Sequence, residues 1–192
     1  MIQESSIFQN EKQELRKKML ALRRALSAET IEEWSETLLS NIISLPEYKE
    51  SKSIMAYLAM KGEANLDEFI RYALKDGKEI YIPVCKENRQ LEAGRLTSMD
   101  HFEKGPLGLR NLPAGYEIMS PEKLDLLLIP AVACGKDHTR LGMGAGYYDR
   151  FLQQISDEKR VAVVWDFQVI DSVPTTVHDR KVTKIVTEKQ II

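Results

Sequence analysis

Cysteine is scarce in this sequence. Cys85 and Cys134 are the only two among 192 residues, and they lie far apart along the chain. So few and so widely spaced cysteines exclude the zinc-binding and redox motifs that need closely spaced thiols. A reducing compartment would leave both as free thiols, and we predict that both are buried as small hydrophobic side chains.

Long apolar runs are missing as well. No stretch approaches the roughly 20 consecutive apolar residues that a membrane span requires, and the N-terminal segment MIQESSIFQNEKQELRKK lacks the apolar core of a secretory signal. We therefore expect no membrane partner and a cytoplasmic location.

Neither sign of charge dominates. The chain has 27 Lys and Arg against 29 Asp and Glu, a formal net charge of -2. Without a basic excess or an aromatic-studded basic patch, nucleic-acid binding is not expected. A hydrophobic content of 43% and the lack of low-complexity tracts predict one globular domain over residues 1–192, with a sizeable core. We expect it to be a monomer.

The first part of the chain has helical periodicity. Apolar residues recur at helical spacing in the segment EKQELRKKMLALRRAL. Thr30 and Glu33 predict the capping box of a second helix, which holds Trp34, Leu38 and Ile42. The chain is therefore predicted to begin with a helical pair.

Four short apolar runs follow: SIMAYLAM, EIYIPV, DLLLIPAVA and RVAVVW. Their near-continuous hydrophobicity is typical of strands buried on both faces. An amphipathic segment closed by Gly77 lies between the first two, as in a strand–helix–strand crossover. These patterns predict an α/β fold, a three-layer domain with a central parallel or mixed sheet flanked by helices. Residues 86–120 carry many turn signals and are expected to be irregular.

Three of the ten glycines alternate at Gly142, Gly144 and Gly146, between a buried run and the helical-looking YYDRFLQQI. In open α/β sheets, ligands bind where strands lead into helices, and glycines there let backbone N–H groups approach an anion. We also expect the helix N-terminus to add positive charge. The spacing alone fits either a phosphate-binding loop or a tight turn without a ligand.

The neighbouring residues favour the phosphate interpretation. Arg140 offers a planar fork of donors for phosphate oxygens, and Asp149 stands where it could hold a divalent cation that bridges them. Tyr147 and Tyr148 could line a site for a flat ring, or simply pack.

The first helix provides further cations. Lys12, Arg16 and Arg23 fall beside the apolar stripe of this helix, whereas Lys17, Lys18 and Arg24 face away from it. These side chains either snorkel along the edge of the core or bind a polyanion. Since no nucleic-acid motif accompanies them, a polyphosphate is the favoured partner.

The segment LLLIPAVACGKDHTRLGMGAGYYDRFL closely resembles the signature of the 5-formyltetrahydrofolate cyclo-ligases, also called methenyltetrahydrofolate synthetases. KQELR, YLAMKGEANL and VHDRKV resemble further elements of that family, so the resemblance spans residues 12 to 182. The family's G-I-x-E-P element is absent, and GPLGLRNLPAG stands in its place.

The resemblance implies an ATP- and Mg²⁺-dependent conversion of 5-formyltetrahydrofolate to 5,10-methenyltetrahydrofolate, with ADP and phosphate as the other products. It implies catalytic roles for Lys12 and Arg140, folate contacts from Leu58, Glu63 and Tyr147, and Mg²⁺ ligation by Asp149 and Asp179. The implied ATP contacts are Lys12, Arg16, Arg140, Leu141, Gly142, Met143, Gly144, Ala145, Gly146, Tyr147 and Tyr148.

Two other classes remain open from the residues alone. A phosphosugar isomerase or acyl-CoA transferase could use a similar scaffold and glycine loop without needing ATP. A folate- or nucleotide-binding protein without catalytic activity would bind a ligand but not turn it over; Asp149 and Asp179 argue against it.

Overall fold

A computed structural model describes residues 2–105, 109–175 and 179–192, with side chains from residue 8 onward. The predicted helical pair is confirmed as α1 (Ile2–Arg24) and α2 (Ala28–Ser44). The predicted cap of α2 is wrong by three residues, because Ser27 is the N-cap and its hydroxyl accepts a hydrogen bond from the Thr30 N–H at 3.1 Å. Ser27 has the extended backbone that an N-cap requires, whereas Thr30 already lies inside the helix.

The predicted orientation of α1 is confirmed. Lys12 and Arg23 are buried and Arg16 is half-buried, whereas Lys17, Lys18 and Arg24 are exposed. Cations therefore occupy the packed side of the helix, where each needs a partner.

The described residues form twelve strands in three sheets, the largest having seven strands in the order β12-β10-β7-β1-β2-β3-β6. The strands are β1 (Ser53–Met55), β2 (Glu79–Cys85), β3 (Leu91–Leu96), β4 (Glu103–Lys104), β5 (Arg110–Asn111), β6 (Ile118–Met119), β7 (Leu126–Pro130), β8 (Ala133–Gly135), β9 (Arg140–Leu141), β10 (Arg160–Val163), β11 (Val169–Ile170) and β12 (Lys184–Val186). The other helices are α3 (Pro46–Glu50), α4 (Asp67–Lys75) and α5 (Tyr147–Phe151).

The four predicted apolar strands form the parallel centre of the main sheet. Neighbours in the series β10-β7-β1-β2 all pair in parallel, with Ile54 opposite Ile80 and Leu126, for example. The first and third apolar runs are longer than the strands they form. The first run leaves the sheet after Met55, and the third divides into β7 and β8, which belong to different sheets.

Helices cover both faces of the main sheet, as the three-layer prediction required. Successive strand residues point to opposite faces, so Ile54 packs in a core with α2, α3 and α4, whereas Met55 packs on the other face with α5 and the segment after it. Gly77 follows α4 with a φ of 80°, a left-handed conformation suited to ending a helix.

The first helix packs against a small sheet of order β11-β8-β9. Met19 of α1 packs there against Val132, Ala133, Leu141 and Val173. This packing brings the cationic side of α1 next to β9 and the glycine loop that follows it.

The middle segment is more regular than predicted. β3 extends the main sheet by pairing antiparallel with β2 over six residues, and β6 pairs antiparallel with β3. β4 and β5 form a separate two-stranded sheet. The turn signals therefore mark hairpins rather than an irregular region, although residues 106–108 lie outside the described part of the chain.

The two cysteines have different environments. Cys134 is buried, and burial raises its pKa to about 12. Cys85 is exposed at the end of β2, so the prediction that both are buried is wrong for this residue, although both are free thiols. In the part of the chain that the structure describes, no helix is both long and apolar enough to cross a membrane.

Candidate active site

A cleft lies at the carboxyl edge of the parallel strands. Its lining includes Tyr57 and Leu58 after β1, Cys85 at the end of β2, and Pro130 at the end of β7. The cavity measures about 210 Å³. Because the carboxyl ends of parallel strands meet at one edge, residues distant in sequence converge here, as the fold class predicts.

The glycine loop forms one end of this cleft. Gly142 to Tyr148 line it, together with Arg140 and Asp149. We predicted that the loop follows the buried run DLLLIPAVA. In the structure the β8–β9 hairpin lies between the two. The chain turns back after Gly135, and β9 then places Arg140 in the lining of the cleft.

Two of the alternating glycines need left-handed backbone, and two leave room for cations. The φ angles of Gly144 and Gly146 are 93° and 75°. A Cβ atom on Gly142 would lie 3.0 Å from Nη1 of Arg140, and one on Gly144 would lie 3.3 Å from Cζ of Arg16. The glycines therefore bring the loop backbone close to two guanidinium groups.

Arg140 is almost completely buried beside the loop. Its Nη2 donates to Oδ1 of Asp149 at 2.6 Å, its Nη1 donates to the Pro130 carbonyl at 3.4 Å, and its Cζ lies 5.7 Å from the centre of the Tyr148 ring. Its Nε has no hydrogen-bond partner among the described residues. A buried N–H without a partner is costly, so a ligand acceptor there would be favourable.

Helix α1 supplies two more cations to the same end. Nζ of Lys12 donates to Oδ2 of Asp179 at 2.5 Å, and Nε of Arg16 donates to the Gly142 carbonyl at 2.9 Å. Burial lowers the pKa of Arg16, while the charges of Asp179 and Asp149 partly oppose that shift. Arginine remains protonated under such conditions. The glycine loop with Arg140, Lys12 and Arg16 is called the phosphate end below. Arg140 and residues 142–149 line the cleft, whereas the predicted ATP and Mg²⁺ residues Lys12, Arg16, Leu141 and Asp179 are not part of its lining.

The predicted contribution of the helix N-terminus is small. α5 has only five residues, Tyr147–Phe151, before a single 3₁₀ turn, Leu152–Gln154. Because a helix dipole sums over aligned peptide units, so short a helix adds little charge. Positive charge at the phosphate end therefore comes from side chains.

Glu63 lines the same cleft, and the part of the cleft around it is called the ring end below. Its Oε1 is 3.1 Å from Nη2 of Arg23, and its Oε2 accepts from the Met60 N–H at 2.9 Å. Both side chains are nearly buried. Leu58 and Tyr147, the other residues that the resemblance assigned to folate, line the same cleft.

Two tyrosines connect the ring end with the sheet. The Tyr57 hydroxyl donates to the Ala64 carbonyl at 2.9 Å. Burial, and then the charge of Glu63, raises the pKa of both Tyr57 and Tyr148. Both phenols therefore stay protonated in the physiological range and can only act as neutral hydrogen-bonding groups.

Comparison with known proteins assigns the chain to a family. A model described as the 5-formyltetrahydrofolate cyclo-ligase family matches residues 8–188. The chain belongs to the 5-formyltetrahydrofolate cyclo-ligase family. The matched range includes the residues that line the cleft and the Lys12–Asp179 pair.

Individual cyclo-ligases are similar over most of their length. The mouse 5-formyltetrahydrofolate cyclo-ligase is 30% identical, over 92% of this chain and 93% of its own. The cyclo-ligase of Escherichia coli K12 is 26% identical, over 88% of this chain and 96% of its own.

Two solved structures of such enzymes have the same fold as this chain. The 5,10-methenyltetrahydrofolate synthetase of Aquifex aeolicus is 38% identical, with a TM-score of 0.83 over 94% of this chain and 91% of that one. The corresponding synthetase of Mycoplasma pneumoniae, 23% identical with a TM-score of 0.76, has the same fold. The α/β architecture described above is therefore that of the cyclo-ligase family.

The structure also brings residues to the cleft that sequence reasoning did not assign. Arg110 lines the cleft, and both of its terminal nitrogens donate to the Asp67 carboxylate at 2.7 and 2.8 Å. No sequence signal pointed to it, since its position depends on how the middle segment folds. Arg23 did have a signal, its place at the edge of the apolar stripe of α1, but the resemblance did not include it.

The acids of this family member suit a metal shared with phosphates better than a metal held by protein alone. No group of three His, Cys, Asp or Glu side chains suitable for a metal occurs among the described residues. Asp149 and Asp179 both lie near Arg16, and each is paired with a cation. One or two carboxylates with substrate phosphates are the usual Mg²⁺ ligands, so the donor set fits Mg²⁺ bound together with a polyphosphate.

Proposed function

We propose that this protein catalyses the ATP- and Mg²⁺-dependent cyclisation of 5-formyltetrahydrofolate to 5,10-methenyltetrahydrofolate, with release of ADP and phosphate. The observation that carries the proposal is the construction of the cleft. Arg140, the glycine loop and Glu63 line one cleft, and Arg16 contacts the loop from helix α1. Donors for a phosphate and an acceptor for a ring with paired donors therefore share one cleft.

The chemistry explains why basic side chains predominate at the phosphate end. The formyl oxygen is a poor leaving group, so the γ-phosphoryl group is first transferred to it. The N10 nitrogen then attacks the activated carbon, and phosphate leaves as the ring closes. The protein contributes no nucleophile to this sequence. Its task is to align the two substrates and to stabilise charge on the transferred group.

Lys12 and Arg140 take the catalytic roles in this proposal. Both are buried next to the loop, so their charges act in a poorly screened environment. Arg16 and the backbone of residues 141–148 hold the remaining phosphate oxygens. The free Nε of Arg140 supports the proposal, because a phosphate oxygen would give it an acceptor.

The metal-binding role falls to Asp149 and Asp179. When bound, Mg²⁺ would neutralise phosphate charge and so favour transfer. In the structure each carboxylate balances a cation, Arg140 or Lys12. Binding of MgATP would exchange these partners, the phosphates taking the cations and the metal taking the acids.

At the ring end, Glu63 accepts the paired N–H donors of the pterin, while Leu58 and Tyr147 contact its faces. A carboxylate has two oxygens and can accept both donors at once. Glu63 is the nearly buried acid of the cleft lining, and its charge reaches both Tyr57 and Tyr148. We further propose that the enzyme is a monomer and that it is cytoplasmic. Both proposals come from the sequence alone.

The test is an assay for methenyltetrahydrofolate absorbance with 5-formyltetrahydrofolate, ATP and Mg²⁺, omitting each component in turn. We expect product only when all are present, with one ADP formed per product. Product without nucleotide would refute the mechanism. Binding of both ligands without turnover would identify a non-catalytic binding protein, and turnover of a phosphosugar or acyl-CoA without ATP would identify the other class.

A further inference from the structure

The carboxylate of Glu63 is held from two sides. The Met60 N–H donates to Oε2 at 2.9 Å from within the same turn, and Nη2 of Arg23 in α1 lies 3.1 Å from Oε1. Glu63 lines the cleft, whereas Arg23 does not belong to the lining. Arg23 therefore supports the carboxylate from behind and leaves its cleft side available.

The turn that carries Glu63 is fixed to α1 through its backbone as well. A Cβ atom on Gly62 would lie 2.6 Å from the Arg23 carbonyl oxygen, so the two backbones are in close contact. Nε1 of Trp165 donates to the Gly62 carbonyl at 3.0 Å, and the Trp165 ring packs edge-on against Trp34 of α2. The turn is therefore packed closely against the end of α1.

Because Arg23 and Glu63 are both buried, the charge of Glu63 needs Arg23 as its partner. Arg23 and Glu63 have exposed side-chain fractions of 3% and 9%. Burying a charge without a partner is costly, so the pair stabilises both side chains in place. A carboxylate held in this way presents two fixed acceptors to a ring with two N–H donors.

We propose that Arg23 is a positioning residue that orients the Glu63 carboxylate as a double acceptor, and thereby determines which rings the cleft accepts. This inference rests on the proposed function, since it assigns a cause to the role of Glu63 in that reaction. The same helix carries Arg16 at the phosphate end, seven residues and about 10 Å along its axis from Arg23. α1 therefore sets the spacing between the two ends.

The test compares Arg23→Met with Arg23→Lys and with the control Arg24→Met, an exposed neighbour on the same helix. Each variant is assayed for kcat, for the KM values of the folate substrate and of ATP, and for inhibition by a folate analogue that lacks the 2-amino group of the ring. Melting curves establish that each variant is folded. The analogue matters because it removes one of the two donors that an ionised Glu63 would accept.

We expect Arg23→Met to raise KM for folate on the order of tenfold to a hundredfold, the range that misplacement of a binding group produces, with KM for ATP nearly unchanged. Preference for the complete ring over the analogue should fall, Arg23→Lys should restore part of it, and Arg24→Met should resemble wild type. If Arg23→Met does not fold, Arg23→Lys must still show a higher folate KM and a weaker preference than wild type.

Unchanged folate KM and ring preference in a folded Arg23→Met variant would overturn the inference. So would an equal rise in both KM values, which would indicate a general structural role. These outcomes are distinct from failure of the proposed function, which would appear as a wild-type protein that makes no product.

Discussion

The two ends of the cleft use the same elements, buried cations paired with carboxylates, but differ in which partner meets solvent. At the phosphate end, Lys12 and Arg140 have exposed side-chain fractions of 6% and 2%, whereas their partners Asp179 and Asp149 have 20% and 29%. At the ring end, both members of the Arg23–Glu63 pair are below 10%.

The difference matches the chemistry proposed for each end. Acids that are partly hydrated can return to water when a polyanion replaces them as the partner of the buried cation, so the phosphate end is suited to exchanging partners. The ring-end pair cannot separate without leaving a buried charge alone. We infer that the phosphate end is built for exchange and the ring end for fixed geometry. Four predictions test this contrast and a fifth concerns a carboxylate away from the cleft, in order from the largest expected effect to the smallest.

Gly62→Ala at the ring end should destabilise the protein most. The added Cβ would overlap the Arg23 backbone carbonyl, which cannot rotate away, and Gly62 has a φ of 79°. Together, strain and overpacking should lower the free energy of unfolding by about 2–5 kcal/mol. The control is Gly77→Ala, at a φ of 80° with nothing within 4 Å, which should lose only about 1 kcal/mol. Equal losses in urea unfolding would show that the ring end is not rigid.

Arg140→Ala and Lys12→Ala at the phosphate end should chiefly weaken ATP use. Each removes a charge-assisted phosphate contact, so KM for ATP should rise by an amount equivalent to about 1.5–3 kcal/mol. Lys17→Ala, an exposed position on α1, is the control. Steady-state kinetics with ATP as the varied substrate measures the effect. Wild-type ATP kinetics in both variants would contradict the assignment of this end to phosphate.

Asp149→Asn should raise the Mg²⁺ concentration needed for half-maximal turnover about tenfold, equivalent to about 1.4 kcal/mol, because it removes one anionic ligand while keeping the size of the side chain. Turnover is titrated against Mg²⁺ at saturating ATP and folate, beside a melting curve. If Asp149 only anchors Arg140 and α5, the melting temperature will fall and the Mg²⁺ midpoint will stay where it is.

Gly144→Ala should have a smaller effect than Gly62→Ala. Its Cβ would meet the end of the flexible Arg16 side chain, which can move, so the main cost is a left-handed alanine of about 1 kcal/mol. Displacement of Arg16 should raise KM for ATP a few-fold and leave KM for folate alone. A rise in folate KM instead would mean that the ends are not separate.

The smallest effect is expected away from the cleft, at Asp125. Its Oδ2 accepts hydrogen bonds from the Lys52 and Ser53 N–H groups and the Ser53 hydroxyl at 2.8–2.9 Å. Burial alone would raise the pKa of this carboxyl, but these hydrogen bonds lower it by more, so the folded pKa lies below the ordinary value.

A lowered folded pKa stabilises the protein above the unfolded pKa of about 3.9, and that stabilisation disappears as the pH falls through the folded value. Asp125→Asn should therefore cost about 1 kcal/mol at neutral pH, progressively less below pH ~4, and nothing in activity. Urea unfolding of both proteins across the acid range measures this. A difference that does not shrink with falling pH would show that the charge of Asp125 is not involved.

Much of this molecule could be predicted before its structure. Hydrophobic runs identified the four parallel strands, and helical periodicity separated the buried Lys12 and Arg23 from the exposed Lys17 and Lys18. These features depend on local spacing and burial, which sequence periodicity expresses directly. Family resemblance then supplied Glu63 and Asp179, which no local pattern distinguishes from ordinary surface acids.

Other features required the folded chain. The β8–β9 hairpin before the glycine loop, the pairing of the middle segment with β2, and the arrival of Arg110 in the cleft all depend on contacts between distant residues. Short polar segments have little periodicity of their own, so tertiary packing decides their conformation.

The sequence by itself determined the α/β layers, the basic side of α1 and the position of the glycine loop after the buried strands, because hydrophobic periodicity and backbone permissiveness are local properties. Only the tertiary structure decided which charges meet. Lys12 pairs with Asp179 and Arg23 with Glu63 because α1 packs on the small sheet and against the turn after β1. Arg140 of β9 pairs with Asp149 of α5 across the glycine loop. Electrostatic partners are set by distance in space, and spacing along the chain does not encode that distance.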